Sequence, residues 1–243
     1  MSIDTSSCSL SLDPALAERG DLRAALVWAT GLGGCPATEA LPAYLAGLLA
    51  RVRAAGESFL PAERKAAVRD MLRYGKYKPA GRAKPSSEYL LAAALSGSEP
   101  GGEFPLVNGP VDANNAVSLE WGYPASVFDA AKTGPELLLR RGKAGESYVF
   151  NPSGQEIDLE DLLVACRRGV AGEGAEWEPC GNPVKDAMAT KVFEGATDVL
   201  ALVYAPWSEG PERLEACASR LAGLFTSECG ASASGFRIEP RSP

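Results

Sequence analysis

The sequence predicts an α+β fold. Three observations carry that expectation. Helical apolar spacing dominates the first half of the chain, short β-type apolar runs follow from about residue 126, and an amphipathic segment near the end adds a closing helix. This order segregates helices from strands, so a curved sheet or sandwich with flanking helices is expected.

Residues 22–32, LRAALVWATGL, form a short apolar run with Val and Trp that ends at Gly-Gly. It reads as a buried strand, although its alanines leave a helix open. From Thr38 to Ala55, leucines at 41, 45, 48 and 49 recur at helical spacing. Thr38 is a candidate cap, and Pro42 belongs in the first turn or marks a kink. A second helix is expected from Pro61 to Tyr74, with Arg64, Lys65 and Arg69 on one face. The segment GKYKPAGRAKPSS is a Gly/Pro-broken loop, after which Ser86 or Ser87 caps a third helix, SSEYLLAAAL. SGSEPGGEFP reads as a flexible link. Val111 to Trp121 is a three-turn helix stopped by Gly122. Between Ser126 and about Tyr204 the runs SVFD, ELLLRR, ESYVFN, DLLVACR and DVLALVY read as strands, with turns at GKAGE, NPSGQE and GVAGEG. Pro211 to Cys229 is the closing helix. Residues 1–230 are expected to form one domain and residues 231–243 a loose tail.

Composition narrows the chemistry. The 46% apolar content of this 243-residue chain is that of a globular protein able to bury a core. The longest apolar runs are far shorter than a membrane span, and the N-terminus lacks the basic-then-apolar order of a signal peptide. A cytoplasmic protein with no membrane partner is expected. There is no histidine, and the six cysteines show no CxxC spacing. A zinc site, a Ser-His-Asp triad and a Cys-His pair are therefore not expected, nor is any cofactor. Catalysis would fall to carboxylates, lysine, amides, hydroxyls or backbone dipoles.

The net charge of -7 argues against sequence-blind nucleic-acid binding and against a DNA partner. The charge is uneven, however. From Arg64 to Lys84 there are eight basic residues against the single acid Asp70. Such a patch is either a solvated helix face and loop or a footprint for a polyanion.

The segment VNGPVDANNAVSLEWGYPASVFD concentrates short polar groups in an apolar frame. Together with LLLRRGKAGE, QEIDLEDL and TKVFEGATDVLALVYA, it resembles the B3/B4 module of the bacterial phenylalanyl-tRNA synthetase beta chain. The upstream LRYGKYKPAGRAKPSSEYLL and the later NPVKDAMATK are similar to segments of freestanding B3/B4 proteins. The resemblance covers roughly residues 65–206. It implies a three-layer α+β domain with a β-sandwich core and flanking helices, without an aminoacylation core. It also implies a site that binds the aminoacylated 3' end of a tRNA and hydrolyses the ester of a wrong amino acid.

By that resemblance Asn114 and Asn115 would line the amino-acid pocket, and Asn108, Asp112, Ser126 and Phe128 would contribute to substrate binding. Asn114, Asn115, Lys185 and Asp186 are the candidate catalytic residues. Each has a plainer reading. Asparagines cap helices and satisfy loop backbone, Asp112 suits a first-turn acid, and Lys185 beside Asp186 suits an exposed ion pair. Three positions depart from the family pattern: Ser126 stands where histidine is common, Gly109 where a second asparagine is, and Phe193 where threonine is. These losses keep open a non-catalytic RNA-binding module, or a small-molecule site reusing the pocket. Lys76, Lys78, Arg82 and Lys84, interleaved with Tyr74 and Tyr77, are the candidate RNA contacts, extended by Arg140 and Arg141. The oligomeric state is open.

Overall fold

The chain builds its two central strands from its most continuous apolar runs, because a strand covered on both faces needs no polar alternation. The computed structural model describes residues 3–96, 103–169 and 176–240. In chain order these contain β1 (Ser9–Leu12), α1 (Pro14–Arg19), β2 (Leu22–Thr30), α2 (Ala43–Ala55), α3 (Ala62–Leu72), α4 (Ser86–Leu95), α5 (Gly109–Trp121), β3 (Ala125–Asp129) and α6 (Ala130–Thr133). There follow β4 (Glu136–Arg141), β5 (Ser147–Val149), β6 (Glu156–Asp158), β7 (Leu163–Arg168), β8 (Trp177–Gly181), β9 (Val199–Pro206), α7 (Pro211–Ser227) and β10 (Ala233–Glu239).

The fold is α+β. One antiparallel sheet has the order β10-β2-β9-β3, with β2 and β9 central and almost wholly buried. The other has the order β1-β4-β7-β8, in which β1 runs parallel to β4. Residues of both sheets share a single apolar core that includes Leu26, Phe128, Leu139, Val164 and Leu202. A hairpin of β5 and β6 stands apart. A second, smaller core joins α2, α4 and α5 through Leu45, Leu49, Leu90, Leu91, Ala116 and Leu119. Helix α5 therefore lies between two cores, with Ala113 and Val117 toward the sheets and Ala116 and Leu119 toward the helices. Its small residues let it pack on both sides, and this buries the asparagine at 114.

Several boundaries differ from those expected. Helix α2 starts at Ala43 with Pro42 as its N-cap; Thr38 instead donates its hydroxyl to Asp112. Neither Ser86 nor Ser87 caps α4, whose N-cap is Pro85. Helix α5 starts two residues early, at Gly109, because Pro110 fits its first turn and Asn108 caps it. The expected loose tail contains a strand over Ala233–Glu239, paired with β2 from Thr30 back to Ala24. Its weak apolar alternation hid it, since an edge strand needs only one partner. Strand β8 was missed because Pro179 argues against a central strand; β8 is an edge, where proline is tolerated. Most of the expected link at 96–105 and of the turn GVAGEG lies outside the described residues. Among the described residues no helix is long and apolar enough to cross a membrane.

Candidate functional site

Helices α4 and α5, strand β3 and the segment 182–193 enclose a cavity of about 290 Å³. Its walls are largely apolar, with Leu90, Val111, Val127 and Val192 among them. Set into these walls are Asn114, Asn115, Asn182, Asp186 and Lys191. Asn114 is 2% exposed and donates its amide N–H to Ala125 O at 3.4 Å. Its Oδ1 is buried without a hydrogen-bond partner. Leaving a buried acceptor unmatched costs on the order of 1–3 kcal/mol, so this oxygen is suited to receive a donor from a ligand.

The segment after β8 is held by Asn182. Its Oδ1 accepts the N–H groups of Val184 and Lys185, both at 2.8 Å, which closes a side-chain-to-backbone turn. Its Nδ2 donates to Tyr148 Oη at 2.6 Å, and that hydroxyl donates onward to Lys185 O at 2.7 Å. This turn sets Asp186 against Phe128 and Gly181. A side-chain carbon added at Gly181 would meet Asp186 Oδ1 at 2.6 Å and the Phe128 ring at 2.5 Å, so only glycine leaves room. Asp186 Oδ1 has no hydrogen-bond partner. Burial pushes the Asp186 carboxyl up to about 7, against the opposing pull of the Ser126 hydroxyl, the Lys191 charge and nearby backbone N–H groups. Burial pushes the Lys191 ammonium down, opposed by Asp186; its Nζ donates to Phe150 O at 2.6 Å.

A second cavity, of about 540 Å³, adjoins the first. Tyr89, Val184, Lys185, Asp186 and Lys191 line both, so the two form one cleft with Asp186 at the junction. The outer half carries Arg82, Lys84, Lys185 and Lys191 around the single carboxylate of Asp186. Lys185 Nζ lies 3.9 Å over the Phe150 ring. Lys78 and Arg82 are exposed and make no ion pair among the described residues.

The structure thus brings together Asn114, Asn115, Lys185, Asp186, Arg82 and Lys84. It places the remaining candidates elsewhere. Asn108 is buried as the α5 cap: its Oδ1 accepts from Val111 N at 3.2 Å and its Nδ2 donates to Val192 O at 3.1 Å. Asp112 accepts from Thr38 Oγ1 and, at 2.8 Å, from Val107 N. Both tie the start of α5 to its neighbours, and neither lines the cleft. Ser126 is fully buried one layer beneath, 3.1 Å from Tyr204 Oη, and Phe128 is wholly buried behind Asp186. Lys76 pairs with Glu160 at 2.8 Å. Arg140 makes a two-pronged pair with Glu146, both contacts at 2.7 Å. Arg141 donates to Leu72 O and Met71 O at the end of α3. The expected RNA roles of Arg140 and Arg141 conflict with these internal bonds, which occupy their guanidinium Nη groups. Tyr77 is buried, and Tyr74 stacks with Arg19 and Arg141 away from the cleft. Sequence reasoning missed Asn182, Lys191, Tyr89 and Gly181. The Gly-Asn-Pro turn was a signal for the first and last of these; Tyr89 and Lys191 had none.

Residues 82–179 match the family model of the B3/4 domain. The chain is 33% identical over 115 residues to the phenylalanine–tRNA ligase beta subunit of Nocardia farcinica, covering 47% of this chain and 12% of that one. It is 29% identical over 104 residues to the same subunit of Corynebacterium glutamicum, covering 42% and 12%. An N-terminal fragment of the phenylalanyl-tRNA synthetase beta subunit from Pyrococcus horikoshii aligns at a TM-score of 0.41 and 13% identity, over 54% of this chain and 45% of that one. The chain spans a small part of the length of these curated relatives, and Asn182, Asp186 and Lys191 lie just beyond the family-model match. By sequence, then, residues 82–179 resemble the B3/4 domain, and the chain is similar to phenylalanine–tRNA ligase beta subunits.

Proposed function

We propose that the cleft takes the aminoacylated 3' end of a tRNA and hydrolyses the ester of a wrongly attached amino acid. The observation that carries this reading is the continuity of the cleft: an amide-edged apolar cavity opens into a cationic one, with a buried carboxylate where they meet. The related proteins are named for tRNA. A side chain and ammonium group fit the inner cavity, with Asn114 Oδ1 accepting from the ammonium. Phosphates fit Arg82, Lys84 and Lys185 in the outer half.

The ester carbonyl then falls near Asp186. In its ionised form Asp186 takes a proton from water as the water oxygen bonds to the carbonyl carbon. The carbon–oxygen bond to ribose breaks, and the ribose oxygen leaves with the proton that Asp186 took from the water, which returns the carboxylate to its ionised form. A base titrating near neutrality is matched to this task, because it is substantially ionised and still able to hold the proton. The amide of Asn115 and the Lys191 ammonium supply donors for the developing negative charge.

A binding role without turnover is the second reading. The burial of Ser126 favours it, because a fully buried hydroxyl in the place where the family pattern has histidine cannot reach the substrate or its water. One assay separates the two. The protein is incubated with tRNAs charged with tyrosine, non-protein aromatic amino acids and other near-cognates, and ester loss and tRNA retention are followed together. Ester loss above the spontaneous rate, abolished by Asp186→Asn, supports hydrolysis. Retention of charged tRNA at the spontaneous rate supports binding alone. Neither effect would overturn both readings.

A further inference from the structure

The lip between the two cavities is formed by an exposed aromatic residue, Tyr89, to which the proposed hydrolysis assigns no part. Tyr89 lines both the inner and the outer cavity, and it is 60% exposed, the most exposed of the large hydrophobic residues described. Its backbone is fixed: it lies in the first turn of α4, where its N–H donates to Pro85 O at 3.2 Å. The adjoining Glu88 is gripped by Arg69, whose Nε donates to it at 2.7 Å, and this ties the same turn to α3. The Lys84 ammonium stands 5.9 Å from the ring centroid, and Lys84 also lines the outer cavity. A flat ring on a rigid backbone, beside a row of cations and at the entrance to a cavity, suits an unpaired base whose phosphates lie along the cations. Tyr74 and Tyr77, the aromatics of the basic loop, cannot take that part: one stacks with Arg19 and Arg141, the other is buried.

We infer that Tyr89 is a nucleotide-positioning residue: its ring stacks on the terminal base of the RNA and so sets the ester carbonyl at the junction of the two cavities. This rests on the proposed tRNA reading and adds the base subsite to it. Stacking engages the face of the base and reads none of its edge donors or acceptors, so the subsite accepts any base and prefers those that stack best. Tyr89 touches the nucleotide and not the reacting atoms.

The test uses the full chain and a short single-stranded RNA ending in CCA, with the last adenine replaced by the fluorescent base 2-aminopurine, whose emission falls on stacking. Wild-type protein is expected to quench the emission on binding. Tyr89→Ala removes the quench and weakens binding about 5- to 150-fold, the range for one lost base–aromatic stack. Tyr89→Phe retains both. On charged tRNA, Tyr89→Ala raises KM and, through loss of positioning, lowers kcat, whereas Tyr89→Phe is near wild type. Wild-type binding without quenching, or equal quenching by wild type and Tyr89→Ala, overturns the base subsite while leaving the tRNA reading intact. Absence of both RNA binding and ester loss in the wild type overturns the tRNA reading and the subsite with it. Tyr89 is exposed, so Tyr89→Ala is expected to fold; an unchanged circular dichroism spectrum and unfolding midpoint verify this.

Discussion

Cations gathered at the end of α3 and cations at the far end of the basic loop meet opposite fates. At the end of α3 they are turned inward. Arg19 and Arg141 donate to the last carbonyls of the helix, their guanidinium groups lie 5.8 and 4.8 Å from the Tyr74 ring centroid, and Arg140 is locked to Glu146. Burial and the neighbouring Arg19 charge push Arg141 down to about 10, the direction expected of a cation held in the interior. At the far end of the loop, Lys78 and Arg82 have no acidic partner among the described residues, and Arg82 and Lys84 line a cleft with Lys185 and Lys191. The chemistry of the side chains is the same in both places. The difference is the acceptor each one meets, so a positive patch counted along the chain overstates the charge available to a ligand.

The sharpest break between the two regions is expected at Asp186, the carboxylate of the open one. Asp186→Asn should lower ester hydrolysis about 10²- to 10⁴-fold, the range for a general base, while uncharged tRNA still binds. In the wild type the rate should rise as pH passes through about 7, where Asp186 ionises. Stability should run the other way. The folded Asp186 holds a proton that the unfolded chain has already released above pH ~4, so its contribution favours folding at low pH and is lost as pH rises through about 7. Urea midpoints at pH 5 and 8 should therefore differ in the wild type and converge in Asp186→Asn. A pH-independent rate would remove Asp186 from the chemistry.

The inward-turned region should behave in the opposite way. Arg140→Ala leaves Glu146 without its partner in a site where the arginine side chain is only 7% exposed. A loss of about 3 kcal/mol in folding stability is expected, with tRNA affinity unchanged when measured below the unfolding transition. A loss of affinity in protein that remains folded would return Arg140 to the interface.

A smaller effect is expected from reversing the charge of Lys78, Arg82 and Lys84 to glutamate. Stability should hardly move, but the slope of log affinity against log salt should shrink by about 2, because each phosphate contact to a single strand contributes about 0.7. An unchanged slope would remove the open end of the loop from the interface. The smallest effect belongs to Tyr74→Ala: a loss of about 1 kcal/mol, as one or two cation–ring contacts disappear, and no change in RNA binding. Weaker binding by that variant would mean that the two regions act as one surface.

Much of the architecture was legible where the signal is local. The apolar runs of β2 and β9, the leucine spacing of α2 and the amphipathic α7 all announce themselves within a dozen residues. So do Gly122 and Pro61 as helix ends. Strands β1, β8 and β10 were not legible, because short edge strands owe their form to a neighbour far along the chain: β10 pairs with β2, some 200 residues earlier. The site divides in the same way. The short polar residues between Asn108 and Asn115 pointed to the right helix, but only packing separates Asn114 and Asn115, which edge the cavity, from Asn108 and Asp112, which hold the backbone together.

The sequence by itself determined the five longer helices and the central strands, the absence of imidazole chemistry and the likeness to the B3/B4 module, since these rest on residue type and spacing over short stretches. The tertiary structure alone decided which amides face a cavity, which cations meet a carboxylate or a helix end, and that Asp186 is buried enough to titrate near neutrality. Those properties depend on desolvation and on partners brought together from distant parts of the chain, and neither is written in local order.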